Sequence, residues 1–438
     1  MHDSSISRRT LLRSGAGLLL AGLATGLPPA WLRGGIPAAW ASTGRVPTVL
    51  ILATSSAGDP INSSLPGTGV PSVLRPNDPV YTETPVVFGD QVHLTPALWE
   101  RAALSLRERL TVFHHRTDAV AHSEYDAVMK VRGAVKSANG SGSESLPAAI
   151  AQELAGPLGT VQERPICLGP ERFAYQGQQL SGLDPSSLSS LFSGGDADLE
   201  DVRPLRDAAL DAIYADLQLN GTRAQREALD AHVTSREQAR ELGVQLGDLL
   251  AQLEVPNSER TAYEFELDDD PYAQVAAAVA LAMLRAAPVV SLHLPWGADN
   301  HRDTDLQREL EGSQAGMDIL NSLWSRIDVD GVREGVTFGL LNIFGRTLQQ
   351  NTGRQHNPDH NGMLLAGPNV LGGLIGGIDA DRRCMAFDPT TGQAGTGGVQ
   401  PSESFAAAAA TMMAAAGVAD DRVAERVPAG VIVPAAVI

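Results

Sequence analysis

The sequence predicts an α/β fold, in which strands alternate with helices about a layered sheet. Two observations carry that prediction. Short apolar, β-branched runs recur between segments with apolar residues at three- and four-residue spacing, and several of these runs empty into a polar loop. With 438 residues and 43% hydrophobic content, the chain has room for one large or two medium domains.

Taken in order, Val46–Ala53 (VPTVLILA) predicts a buried strand that ends in SSAGDPINSSLPGTG, a loop carrying Asp59 and Asn62. Pro96–Arg109 has helical spacing through Leu98, Ala102 and Leu106. Thr111–His114 predicts a second strand, after which HRTDAVAHSEYDAVMK turns helical, and SANGSGSES at Ser137–Ser145 is a loop by composition. From about Leu146 to Leu253, segments such as PLRDAALDAIYADLQLNG alternate apolar and charged residues at helical spacing, which predicts a helical insertion or cap solvated on one face. Tyr272–Ala287 is an alanine-rich buried helix, and Pro288–Leu294 a strand emptying into PWGADNHRDTD. A helix follows to about Arg326, then the strand GVTFGLL, the loop FGRTLQQNTGRQHNPDHNG, a further strand MLLAGPNV and a late helix over Ser404–Ala416.

The N-terminus carries an address. SRRTLLRSGAGLLLAGLATGL sets twin arginines (Arg8, Arg9) before an uncharged run from Ser14 to Leu27, and Ala38–Ala41 offers a small-x-small cleavage site. Residues 1–41 therefore read as a twin-arginine signal peptide cleaved near Ala41, with 42–438 as the mature α/β domain. The translocase is then a partner during export to the periplasm or beyond. The apolar run is shorter than the roughly 20 residues a membrane span needs, so no stable span is expected.

The formal charge is −18; removing the +3 of residues 1–41 leaves about −21. Such a balance argues against a nucleic-acid partner, since no basic field offsets phosphate repulsion. Cys167 and Cys384 are the only cysteines, open to pairing after export or to a life as two separate buried thiols, and no zinc-type cysteine cluster exists. There is also no HExxH, GxSxG, phosphate loop or GxGxxG after a strand.

Ligands of open α/β sheets collect beyond the carboxyl ends of the strands. Four polar loops follow predicted strands here, around Asp59, His115–His122, Asp299–Asp303 and Arg346–Asn361. ADNHRDTD offers Asp299 and His301 to a divalent ion, while Asp303 or Asp305 caps the helix that follows. Asp59, before a proline, is a turn residue unless its loop reaches the site. Thr117 reads either as a helix cap or as a nucleophile aimed at an anion on helix N-terminal amides. Arg346 and Arg354 suit bidentate grip of a phosphate, sulfate or carboxylate, or equally pairing with Asp59, Asp299 or Asp303. His356 and His360 are each open to a structural or a metal-ligating role.

SRRTLLR, FHHRTDAVAH, the Asp299-x-His301 pair, FGRT-x3-N-x-GR-x-HN and GPNVLGGLIGGID, in this order, resemble the exported bacterial domain-of-unknown-function 1501 family of the alkaline phosphatase and sulfatase superfamily. That resemblance is strongest over about Gly335–Ala416 and implies a three-layer α/β/α fold with a mostly parallel central sheet. It implies metal ligands at Asp59, Asp299, His301 and His356, with Thr117 in the nucleophile's place. The ion would be zinc, manganese or calcium, and the substrate an anionic small-molecule or polymer ester of phosphate or sulfate. Two positions depart from the family pattern: Gln355 stands where the family usually has Asp before the histidine, and Ile343 where it often has an acid before FGRT. His360 is then a replacement ligand. The departures set two functions side by side, a metal-dependent hydrolase and a non-catalytic binding or assembly protein that keeps the fold with a reduced site.

Overall fold

Five consecutive buried residues, Val49–Ala53, form strand β1 near the middle of an eight-stranded sheet. The computed structural model describes residues 44–438 apart from 141, 189–202, 223–241, 262–269, 298, 350–352 and 396. The predicted signal peptide thus lies outside the described residues. The other sheet strands are β2 (Leu110–His115), β3 (Ile166–Leu168), β4 (Gly182–Leu183), β5 (Val289–Leu292), β6 (Val336–Leu341), β7 (Asn361–Ala366) and β8 (Gly373–Ile375). Across the sheet the order is β8-β2-β7-β6-β1-β5-β3-β4.

β1 lies parallel between β6 and β5, with Val49 opposite Val336 and Leu50 opposite Val289. β3 continues the parallel run beyond β5, and β4 beyond β3. β7 alone runs antiparallel, to both β6 and β2. Its direction follows from its connection: the chain turns back at the same end of the sheet through residues 342–360, whereas a parallel partner needs a crossover to the opposite end. The sheet is buried throughout β1, β2, β5, β6 and β7, which explains why these strands read as apolar runs without alternation.

Helices α1 (Leu146–Leu158), α2 (Arg203–Asn220), α3 (Pro271–Met283), α4 (Gln307–Ile327) and α5 (Ser404–Ala415) complete an α/β architecture compatible with three layers. α1 and α3 pack on β1 and β5, α5 packs on β2 and β7, and α4 packs on α3. Asp270 caps α3, its Oδ1 accepting from the amides of Tyr272 and Ala273 at 3.0 Å each.

Three segments differ from the sequence pattern. Residues 96–109 divide into a 3₁₀ turn (Ala97–Arg101) and a single helical turn (Leu104–Arg107), because Ala102 and Ala103 are extended. Residues 116–121 are irregular, and helical turns begin only at His122. Finally, the stretch 146–253 is not helical alone: α1, β3 and β4 fall within it, and both strands belong to the central sheet. Their brevity leaves almost no period for a pattern to show. Cys167 and Cys384 are both buried free thiols. Among the described residues, no helix is long and apolar enough to cross a membrane.

Candidate metal centre

The four polar loops meet at the carboxyl ends of β1, β2, β5 and β6. The last of them forms a small antiparallel ribbon in which Arg346 stands opposite His356. His122, His301 and His356 each bring one ring nitrogen within 4.8 Å of the others. The Nε2 atom of His356 lies 2.8 Å from that of His301 and 3.2 Å from that of His122.

Backbone carbonyls decide which nitrogens carry protons. His122 Nδ1 is 2.7 Å from the oxygen of Ser56, and His356 Nδ1 is 2.6 Å from that of Val120. A carbonyl only accepts, so both Nδ1 atoms donate, and each neutral ring is left with a bare Nε2 lone pair. The third ring fits the same scheme, since Nη1 of Arg346 donates to His301 Nε2 at 3.2 Å. Two bare lone pairs and a third held by the Arg346 guanidinium therefore converge, and facing lone pairs repel unless a cation stands between them. A shared proton is disfavoured: burial first, then the charges of Arg346 and the neighbouring histidines, push the His356 imidazole below its ordinary range against the opposing Val120 bond.

A divalent ion suits the donor set. Tetrahedral zinc with nitrogen bonds of about 2.0–2.1 Å spaces its ligand nitrogens roughly 3.3 Å apart, so small ring movements accommodate it. Asp299 borders the triad, with Oδ1 3.5 Å from His301 Nε2 and Oδ2 3.6 Å from His122 Nε2. The same Oδ1 accepts from Nη2 of Arg346 at 3.0 Å.

Phe344 forms the apolar wall. Its ring stacks on His356 at 4.2 Å between centroids, meets His122 edge-on at 5.1 Å and lies under the Arg346 guanidinium. Two glycines make this packing possible. A Cβ on Gly58 would sit 1.9 Å from the Phe344 ring, and one on Gly353 would sit 1.9 Å from the carbonyl oxygen of His301.

The remaining predicted site residues stand elsewhere. Arg354 is buried and engaged: its Nε and Nη2 bind the two carboxylate oxygens of buried Glu309, and its outer nitrogens also donate to the carbonyls of Thr347 and Leu74. It fastens the loop to α4, and four of its five N–H donors are committed to that fastening. His360 is also buried, away from the triad, with Nε2 2.8 Å from His114 Nδ1 and its ring stacked on that of His114. Thr117 is buried, with its hydroxyl accepting from the amide of Ala119 at 3.4 Å, and no helix begins there to supply N-terminal amides. Asp59 is buried at the start of the 3₁₀ turn Pro60–Ser63, near enough to Arg346 and Glu171 for its charge to act on both. Asp303 takes the capping role, accepting from the amides of Arg308 and Glu309 at 3.3 and 2.9 Å.

Gln355 is exposed and lines a polar groove of about 450 Å³ with Thr347, Asn357 and Arg383, a groove whose lining includes none of the three histidines. Ile343 is buried, its amide donating to the oxygen of Ser55 at 3.2 Å. Sequence reasoning named His301, His356, Asp299 and Arg346 and did not name His122 as a candidate ligand. That histidine sits in a segment read as helical, and the irregular path of residues 116–121 is what lays it against Ser56. Comparison with family models, with curated proteins and with solved structures finds no match.

Proposed function

We propose that this chain is an exported, metal-dependent hydrolase-like protein of the alkaline phosphatase-like α/β/α type, acting on phosphate or sulfate esters. His122, His301 and His356 would hold a divalent ion, zinc foremost because three imidazoles suit it, with Asp299 near enough to join as fourth donor. The observation that carries this reading is the convergence of three histidine ring nitrogens at the strand ends.

Openness supports catalysis over a purely structural ion. The side chains of His122, His301 and Asp299 are 39%, 31% and 42% exposed, and catalytic metal sites keep an open position where structural ones are closed. When bound, the ion supplies Lewis acidity and lowers the pKa of water. Arg346 and the bound ion would be the positive charges that meet an anionic ester, offset by Asp299 and by buried Asp59 behind them. Phe344 and the buried turn after β1 keep water from the inner side of the rings. Water takes the nucleophile's place in this reading, since Thr117 is buried in its own turn.

The test is hydrolysis of p-nitrophenyl phosphate and sulfate by purified protein. The expected outcome is turnover lost on chelation, restored by zinc or manganese, and reduced about a hundredfold or more in kcat/KM by His122→Ala. Turnover that survives both treatments contradicts the proposal.

A second reading, a binding or assembly protein whose ion only ties the strand-end loops together, is favoured by the commitment of Arg354 to Glu309 and by the outward placement of Gln355. It expects chelation to lower the melting temperature with no ester turnover in any metal.

A further inference from the structure

Three successive carbonyl oxygens of the turn after β1 face the candidate centre. That of Ser56 accepts from His122 Nδ1 at 2.7 Å, that of Ala57 from Arg346 Nη2 at 2.5 Å, and that of Gly58 from Arg346 Nε at 2.5 Å. A turn that aims three carbonyls one way needs its peptide planes fixed from behind. Ser55 Oγ accepts from the amide of Ala57 at 3.1 Å, which fixes the peptide plane that carries the Ser56 carbonyl.

A second hold, on the other side of the same residue, comes from Glu171, a buried residue three positions beyond β3. Its Oε1 accepts from both the amide and the hydroxyl of Ser56, at 2.7 and 3.0 Å. Charge-assisted bonds of this kind are about twice as strong as neutral ones; these two fix the peptide plane before Ser56 and its side chain, so that with the Ser55 bond the residue is held on both sides of its Cα. If that carbonyl turned away, His122 Nδ1 would lose its acceptor. The proton would then be free to move to Nε2, and a ring protonated at Nε2 cannot ligate through that atom.

We infer that Glu171 is a positioning residue of the metal centre: by clamping Ser56 it holds His122 in the tautomer whose Nε2 is bare. The inference rests on the metal reading above. It also gives the segment after α1 a part in the site, since Glu171 comes from the stretch that the sequence pattern groups with a helical insertion.

The experiment is zinc affinity by competition with a chromophoric chelator, on the full folded protein, for Glu171→Ala, Glu171→Gln and Ser56→Ala, each alone and combined with His122→Ala. Loss of such a supporting carboxylate is expected to weaken zinc binding about 10- to 100-fold. Glu171→Gln, which keeps the accepting oxygen, restores most of the affinity, and Ser56→Ala, which removes one of the two clamps, gives an intermediate loss. With His122 already replaced, Glu171→Ala adds less than about a twofold change, because its action runs through that ring. The inference is overturned by an unchanged affinity in Glu171→Ala, or by the same loss with and without His122, the mark of a merely structural role. Where Glu171→Ala does not fold by circular dichroism, Ser56→Ala in the same cycle decides. Zinc binding absent from the unmodified protein overturns the metal reading and this inference together; zinc binding indifferent to Glu171 overturns this inference alone.

Discussion

Gly58 places a residue-scale demand on the centre, because its left-handed φ of 65° and the Phe344 ring pressed against it both exclude a side chain. Gly58→Ala forces Phe344 off His356 and His122. The expected result is a destabilisation of about 1–3 kcal/mol together with weaker zinc binding, read by urea denaturation and metal titration on the same sample. Intact zinc affinity in this variant would mean that the aromatic wall does not position the rings. At this scale His301 and His356 stood out in the sequence as candidates, since each lies in a polar loop that follows an apolar run. His122 was not, because its usefulness depends on where an irregular segment crosses the β1 turn. Glu171 was less legible still: one acid near a strand of three residues gives no local signal.

Between elements, the Arg354–Glu309 pair is the main fastening of the polar loop to α4. Both side chains are fully buried, and Glu309 also accepts from Ser63 Oγ at 2.7 Å and from Asn300 Nδ2 at 2.9 Å. Removing the guanidinium alone strands a buried carboxylate. Arg354→Leu is expected to cost about 3–5 kcal/mol, measured by denaturation, and the double replacement Arg354→Leu with Glu309→Leu to recover a good part of that. A loss below about 1 kcal/mol in the single variant would show that Glu309 reaches water. The sequence left Arg354 open to gripping an anion or to pairing with Asp59, Asp299 or Asp303, and its partner Glu309 was not among them, because spacing reveals donors but never their partners. The strands β1, β2, β5, β6 and β7 were legible for the opposite reason: burial on both faces leaves an unbroken apolar signature. Where the interruption is conformational, as at Ala102 and Ala103, side-chain pattern carries no warning.

For the whole molecule, buried histidines set the acid limit of stability. His114 donates from Nε2 to the oxygen of Pro66 and accepts at Nδ1 from His360, so the pair is held neutral. Burial pushes His114 down to about 4 and His115 down to about 3, and pushes His360 down as well. The unfolded chain takes up these protons near pH 6.5, while the folded protein refuses them until about pH 4 or below. Their contribution is therefore fully present above pH 6.5 and declines as pH falls from there toward 4, by up to roughly 1.4 kcal/mol per pH unit for each histidine. Urea midpoints at pH 7 and pH 5 check this: a marked fall is expected, flattened in His114→Asn, and equal midpoints would contradict it. The α/β class and the gathering of polar loops at one end of the sheet were both readable from the order of apolar runs and loops, whereas the direction of β7 and the membership of β3 and β4 depend on long-range pairing. The most direct measurement of the central claim is zinc titration of chelator-stripped protein by calorimetry. One ion per chain is expected, bound markedly more weakly but still measurably in each of His122→Ala, His301→Ala and His356→Ala while the fold persists; no specific binding, or an affinity unchanged by all three replacements, would contradict it.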